Sequence, residues 1–118
     1  MLTMAYLEFM DEALGHFVRN DHRRTLEELR FLLDQYPDDV NALFYSGLSN
    51  FHAGRYRAAR TQLKRAATHD VDVFREEAEW YHALTIERSG DVSAAQKEYE
   101  RIAEQGGFYA ERARQRLK

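Results

Sequence analysis

Apolar residues recur every three or four positions through most of this chain, which is the periodicity of amphipathic α-helices. Short polar or Gly-containing segments interrupt the pattern at Asn20-Asp21, Pro37-Asp38-Asp39, Gly54-Arg55, Asp70-Val71-Asp72, Ser89-Gly90 and Gly106-Gly107. Residues of these types favour turns and helix ends. The pattern therefore predicts six helices, at about 3–19, 21–36, 40–53, 56–69, 73–88 and 91–105, and a short seventh within 108–118.

Several of the predicted helices begin with a residue that can cap the free backbone N–H groups of the first turn. Thr3 is expected to cap the first helix, Asp21 the second, the pair Asp38-Asp39 the third and Asp91 the sixth. The apolar stripe of the first helix is predicted to consist of Leu7, Met10, Leu14 and Phe17.

The chain is also similar to itself at a period of 34 to 36 residues. Ala13, Gly47 and Ala83 occupy equivalent positions, and small residues there allow two helices to approach closely. Further equivalent sets are Thr25, Ala59 and Ala95; Leu29, Leu63 and Tyr99; and Leu32, Ala66 and Ile102. The sequence therefore predicts one domain of three similar helical hairpins, at about 6–38, 39–72 and 73–107, followed by a capping helix at 108–118.

At these positions the chain resembles the tetratricopeptide repeat (TPR) family, and Pro37 stands where the family's repeat-ending proline belongs. The resemblance covers residues 6–106. It implies an all-α fold, a right-handed superhelical stack of three helix-turn-helix repeats with a C-terminal capping helix. The sequence departs from the family pattern where polar residues replace apolar ones in the first helix of a repeat, at Glu12, His16, Ser46, Asn50 and His82.

Composition and charge exclude several classes of protein. A chain of 118 residues with 44% hydrophobic and 31% charged residues is typical of one globular domain. The sequence has no apolar run of the ~20 residues that a membrane helix needs. Residues 1–10 have no secretory signal pattern, so we expect a cytoplasmic protein. A periplasmic location is expected instead if the chain is a domain excised from a membrane-tethered parent.

No motif predicts catalysis or a cofactor, since the sequence has no Gly-rich phosphate loop, no Gly-x-Ser-x-Gly, no His-Glu-x-x-His and no Cys. Glu12 and His16 lie one helical turn apart and, with His82, are a candidate metal site. The alternative is that these residues are ordinary polar residues of the first helices. We therefore expect no metal, no cofactor and no enzymatic activity.

The predicted fourth helix has a wholly basic side that includes Arg57, Arg60 and Lys64. Such a face can bind phosphates or an acidic protein. It has almost no aromatic residue for stacking on bases, so no nucleic acid partner is expected. The alternative is a solvated outer surface.

The resemblance implies that the first helix of each repeat lines a concave groove. The positions that it assigns to this groove are Met10, Leu14 and Phe17; Phe44, Leu48 and Phe51; and Trp80, Leu84 and Glu87, with Asp11, Tyr45, Glu77 and Tyr81 beside them. An apolar groove with a polar rim is typical of surfaces that receive a helix or an extended peptide. The same residues are also suited to packing neighbouring first helices together, and the sequence leaves both roles open.

Two functions follow from these observations. The first is a non-enzymatic module that buries partner side chains against Phe44, Leu48, Trp80 and Tyr81, with Asp11 and Glu77 selecting basic flanking residues. The second is a homo-oligomerisation or scaffold domain of a larger protein. Residues 74–113 resemble the end of TPR domains in bacterial regulatory and envelope proteins. Metal-dependent activity at Glu12, His16 and His82 is a third hypothesis.

Overall fold

Residues 4–118 are described by a computed structural model, in which they form seven α-helices and no strand. The helices are α1 (Met4–Val18), α2 (His22–Gln35), α3 (Val40–His52), α4 (Tyr56–Ala67), α5 (Arg75–Arg88), α6 (Val92–Gln105) and α7 (Ala110–Arg116). The predicted all-α class is confirmed. The main differences are that α4 ends at Ala67 rather than near 69 and that α7 fills only part of 108–118.

The turns within the three helix pairs α1–α2, α3–α4 and α5–α6 have the same geometry. Asn20, Gly54 and Gly90 each adopt a positive φ, of 60°, 79° and 100°. The residue after each of them donates its backbone N–H to a carbonyl five positions earlier: Asp21 to His16, Arg55 to Asn50 and Asp91 to Ile86. This is the left-handed helix ending that Gly favours and that Asn tolerates better than most other residues.

Aspartates cap three of the helices, as the sequence predicts. The side chains of Asp21, Asp39 and Asp91 accept hydrogen bonds from backbone N–H groups in the first turns of α2, α3 and α6. The donors are Arg24 at 3.2 Å, Ala42 at 2.9 Å and Ala94 at 3.1 Å. Thr3, the predicted cap of α1, lies outside the described residues.

Each helix packs against the next one along the chain, and α3 also contacts both α1 and α5. This order of contacts gives an elongated molecule with extents of 46 × 27 × 21 Å. The larger apolar core spans α3 to α7, and Tyr109 and Ala113 near the chain end belong to it. α7 therefore covers the last helix pair.

The predicted small positions all lie in the interior, and at Gly47 two helices approach closely. Ala13, Gly47 and Ala83 are all buried. A Cβ atom added to Gly47 would lie 2.7 Å from Cγ of Leu63 on α4 and 3.3 Å from the backbone nitrogen of that residue. Leu63 is fully buried, so it has little room to move away.

The apolar stripe of α1 differs from the predicted one. Leu7 is 49% exposed, whereas Tyr6, which the sequence analysis did not place inside, is buried with Met10 and Ala13. Positions 6, 10 and 13 follow one helical face, and Leu7 lies outside it. The Tyr6 hydroxyl donates to the carboxylate of Asp39 at 2.9 Å, so it links α1 to the start of α3.

Substituting the two glycines within helices should have opposite effects on stability. Gly47→Ala should lower the free energy of unfolding by about 1–3 kcal/mol, because the new methyl group overlaps Leu63. Gly15→Ala should raise it by about 0.5–1 kcal/mol, because a Cβ there meets only the Arg19 guanidinium, at 3.6 Å. Urea denaturation measures both changes. A Gly47→Ala variant as stable as the parent would mean that α3 and α4 lie farther apart than described.

Candidate functional site

Thirteen residues are predicted to form the groove or to lie beside it, and the twelve other than Glu87, called the groove set here, differ in how far they are open to solvent. The buried members are Met10, Phe44, Leu48, Phe51, Trp80 and Leu84. The half-buried members are Leu14, Phe17, Tyr45, Glu77 and Tyr81, and Asp11 is exposed. Only the second group and Asp11 offer much area to a partner, whereas the first group mainly packs the first helices together.

Aromatic rings connect the groove set along α1, α3 and α5. The ring centroids of Phe17 and Tyr45 lie 5.3 Å apart, and those of Tyr45 and Phe74 lie 5.7 Å apart. Phe44 stacks on Phe74 at 4.2 Å with nearly parallel planes. Farther along α3, Phe51 meets Tyr81 edge-on at 5.5 Å. The half-buried rings Phe17, Tyr45 and Phe74 therefore form a continuous apolar row.

Two aromatic residues at this surface were missed by the sequence analysis. Phe74 was treated only as an apolar residue of the fifth helix, but it lies just before α5 and packs on Phe44. Tyr109 was assigned to the capping helix, and its ring stacks on Trp80 at 5.4 Å. The available signal was their position at the start of a predicted helix, where a ring can fold back onto the preceding repeat.

One residue assigned to the groove, Glu87, lies elsewhere. Its carboxylate accepts a hydrogen bond from the Tyr99 hydroxyl at 2.6 Å and lies 3.4 Å from the Arg116 guanidinium. Burial, together with this hydrogen bond, raises the pKa of Tyr99. Glu87 therefore joins α5 to α6 and α7 instead of facing a partner.

Cations lie over several of the rings near the groove set. The guanidinium of Arg88 is 4.7 Å from the centre of the Phe51 ring, and that of Arg112 is 5.4 Å from the centre of Tyr109. Attraction between a cation and an aromatic face is worth ~0.5–1 kcal/mol at an exposed site. The ring faces at this surface therefore accept positive charge.

Three of the five polar residues that depart from the TPR pattern, Ser46, Asn50 and His82, lie in two equivalent clefts between successive second helices. The first cleft, about 420 Å³, lies between α2 and α4, with Ser46 and Asn50 of α3 at its floor. The second cleft, about 410 Å³, lies between α4 and α6, with His82 and Ile86 of α5 at its floor. Both clefts are lined by residues outside the groove set.

The candidate metal ligands do not come together. His82 faces the second cleft, whereas Glu12 is exposed on α1 and His16 is half-buried near Arg19. Within residues 4–118 no group of three His, Cys, Asp or Glu side chains is arranged to hold a metal ion. The metal-dependent hypothesis therefore has no geometric support.

His82 is a buried histidine whose pKa lies well below its ordinary value. Burial lowers its pKa from 6.5 to about 4. Glu98 opposes this shift, while Lys64, Arg60 and Arg101 reinforce it. The side chain is therefore neutral at pH 7, and charging it in place is unfavourable.

Several exposed apolar side chains lie at the end of the molecule formed by α1 and α2. Phe31 is 62% exposed and stacks on Phe9 at 5.6 Å, and Tyr36 is also exposed. A cavity of about 180 Å³ opens beside them. This region, lined by Phe9, Phe31 and Tyr36, is called the apolar end here.

The titration of His82 should contribute to acid sensitivity. In the unfolded chain His82 has its ordinary pKa of 6.5 and binds a proton below that pH. In the folded protein the same side chain is protonated only near pH 4. The contribution of neutral His82 to the free energy of unfolding is therefore fully present above pH 6.5 and is lost as the pH falls towards 4. Between pH 7 and 4.5 the parent should lose about 2 kcal/mol more than His82→Gln.

Urea denaturation of both proteins across this pH range measures the difference. The difference between the two free energies of unfolding at pH 7 measures the effect of the substitution on packing. The change in that difference at lower pH measures the effect of protonating His82. Parallel stability curves would contradict a neutral, buried His82.

Comparison with known proteins leaves the family open. No protein-family model matches the sequence, and no curated protein matches it. Within residues 4–118 there is no helix with both the length and the apolar character required to cross a bilayer. The function must therefore be inferred from the residues and their arrangement.

Proposed function

We propose that this chain is a non-enzymatic interaction module, built as a right-handed superhelical stack of three TPR-like repeats, that receives a partner peptide or helix along its first helices. The repeated turn at Asn20, Gly54 and Gly90 supports the repeat architecture. So do the contacts of α3 with both α1 and α5, because the first helices must be neighbours to share one surface.

The observation that carries the binding proposal is the row of half-buried rings on the first-helix side. Tyr45 contacts both Phe17 and Phe74, and all three residues are only half-buried. Tyr81 extends this surface along α5. Aromatic side chains supply large contact areas at a small cost in conformational entropy, and they dominate the energy of many interfaces.

The mechanism is burial of apolar partner side chains between these rings. Asp11 and Glu77 add negative charge at the edges and favour a partner with Lys or Arg next to its apolar residues. A partner cation can also lie over a half-buried ring, since Arg88 of the protein itself lies over the ring of Phe51.

The buried members of the groove set act by holding this surface in place. Phe44, Leu48 and Trp80 are nearly closed to solvent, so a partner cannot cover much more of them. Truncating Trp80 or Phe44 to Ala should cost about 3–5 kcal/mol of stability. The informative substitutions for binding are therefore at the half-buried residues.

The binding proposal predicts that the half-buried rings, and not other exposed rings, determine affinity. Peptides selected from a random display library on the parent protein should carry apolar residues with basic neighbours. Phe17→Ala and Tyr81→Ala should each weaken binding of the best peptide by about tenfold, or ~1.4 kcal/mol. Phe31→Ala, which removes an exposed ring outside the groove set, should leave affinity unchanged.

Chemical-shift mapping on the labelled parent provides a measurement that does not depend on variant stability. Peptide addition should shift backbone signals of α1, α3 and α5. Shifts confined to α2, α4 or α6 would contradict the assignment of the groove to the first helices. So would a loss of affinity in Phe31→Ala as large as that in Phe17→Ala and Tyr81→Ala.

A second candidate function is self-association, which would make the chain a scaffold domain within a larger bacterial regulatory or envelope protein. The apolar end favours it, because the exposed Phe31 and Tyr36 and the half-buried Phe9 line one apolar cavity. A second copy that covers this patch would bury its rings.

Light scattering from micromolar to millimolar concentration tests self-association. A dimer through the apolar end should dissociate on Phe31→Ser and persist on Tyr81→Ala. A parent that stays monomeric over the whole range rules out this function for the isolated chain.

A further inference from the structure

The first cleft carries positive charge that the protein itself leaves largely unneutralised. Arg23 and Arg30 reach it from α2, and Arg55 reaches it from the start of α4. Arg23 pairs with Glu27 at 2.9 Å. The ion pairs of residues 4–118 include neither Arg30 nor Arg55. Two guanidinium groups are therefore left to bind an anionic partner.

The rest of the first cleft is suited to a polypeptide. Asn50 donates its side-chain N–H to Gln62 Oε1 at 2.7 Å, which leaves the Asn50 oxygen and the Gln62 NH₂ group able to bond a peptide backbone. Leu26 and Leu33 are half-buried in the cleft wall and offer apolar contact area. A volume of about 420 Å³ accommodates a few side chains.

We propose that the first cleft binds an acidic peptide segment, separately from the groove set. The carboxylates of the peptide would pair with Arg30 and Arg55, since a guanidinium can hold a carboxylate through two parallel hydrogen bonds. An apolar residue between the acidic ones would contact Leu26 and Leu33. The cleft shares no lining residue with the groove set, so this site is expected to work whether or not the groove binds a partner.

The lining of the first cleft favours a peptide over a nucleic acid. It contains no aromatic side chain on which a base can stack. The chain as a whole has a net charge of −3, which repels a long polyanion but has little effect on a short peptide held at the cleft.

The second cleft is less suited to this role. Arg60, Lys64 and Arg65 line it together with Glu98. Its charge is therefore similar to that of the first cleft, whose lining has three arginines and Glu27. The lining of the second cleft has no Asn or Gln side chain, whereas the first cleft has the Asn50–Gln62 amide pair that can bond a peptide backbone. The amide pair therefore assigns the acidic peptide to the cleft between α2 and α4.

Fluorescence anisotropy at low salt tests the proposal with a labelled peptide in which Glu and Asp flank a central Leu. The parent protein should bind it, with affinity that falls as salt rises. The double variant Arg30→Gln, Arg55→Gln should bind at least tenfold more weakly. The double variant Lys97→Gln, Lys118→Gln removes the same net charge at exposed residues outside the cleft and should bind as the parent does.

Three further ligands separate the possible outcomes. Replacing the acidic residues of the peptide by Gln should abolish binding, and replacing Leu by Ser should weaken it. A single-stranded oligonucleotide should bind more weakly than the acidic peptide. The proposal fails if the parent does not bind the peptide, if both double variants lose affinity equally, or if the oligonucleotide binds more tightly. Circular dichroism checks that each variant is folded.

Discussion

The close approach of α3 and α4 at Gly47 is the contact on which the rest of the structure depends. The backbone of α3 lies so near Leu63 that even a methyl group at position 47 would overlap it. α3 is also the helix that contacts α1 on one side and α5 on the other. Its position relative to α4 therefore determines where the neighbouring helix pairs can pack.

This arrangement places two different kinds of surface on one small protein. The first helices α1, α3 and α5 present apolar rings that remain half-open, whereas α2 and α4 enclose a polar cleft with two unneutralised guanidinium groups. The rings favour apolar and basic partner residues, and the cleft favours acidic ones. The two proposed sites therefore select opposite charges, and a single ligand cannot satisfy both equally.

The local features of the fold were predictable from the sequence because they depend on neighbouring residues. The aspartate caps, the turns at Asn20, Gly54 and Gly90, and the repeated small positions all follow from residue type and spacing. Burial of Tyr6 instead of Leu7 was not predictable, because it depends on Asp39, thirty-three residues away. The inward stacking of Phe74 and Tyr109 is likewise decided by tertiary contacts. Periodicity also could not separate the buried from the half-buried members of the groove set.

The measurement that tests this account most directly is a double-mutant cycle between Gly47 and Leu63. Gly47→Ala is made in the parent and in a Leu63→Ala background, and unfolding is followed in urea with an added osmolyte that keeps the weakened variants folded. If the helices touch as described, removing the Leu63 side chain relieves the overlap, and Gly47→Ala should cost about 1 kcal/mol less in that background. Equal costs in the two backgrounds would contradict the close α3–α4 contact and the packing built on it.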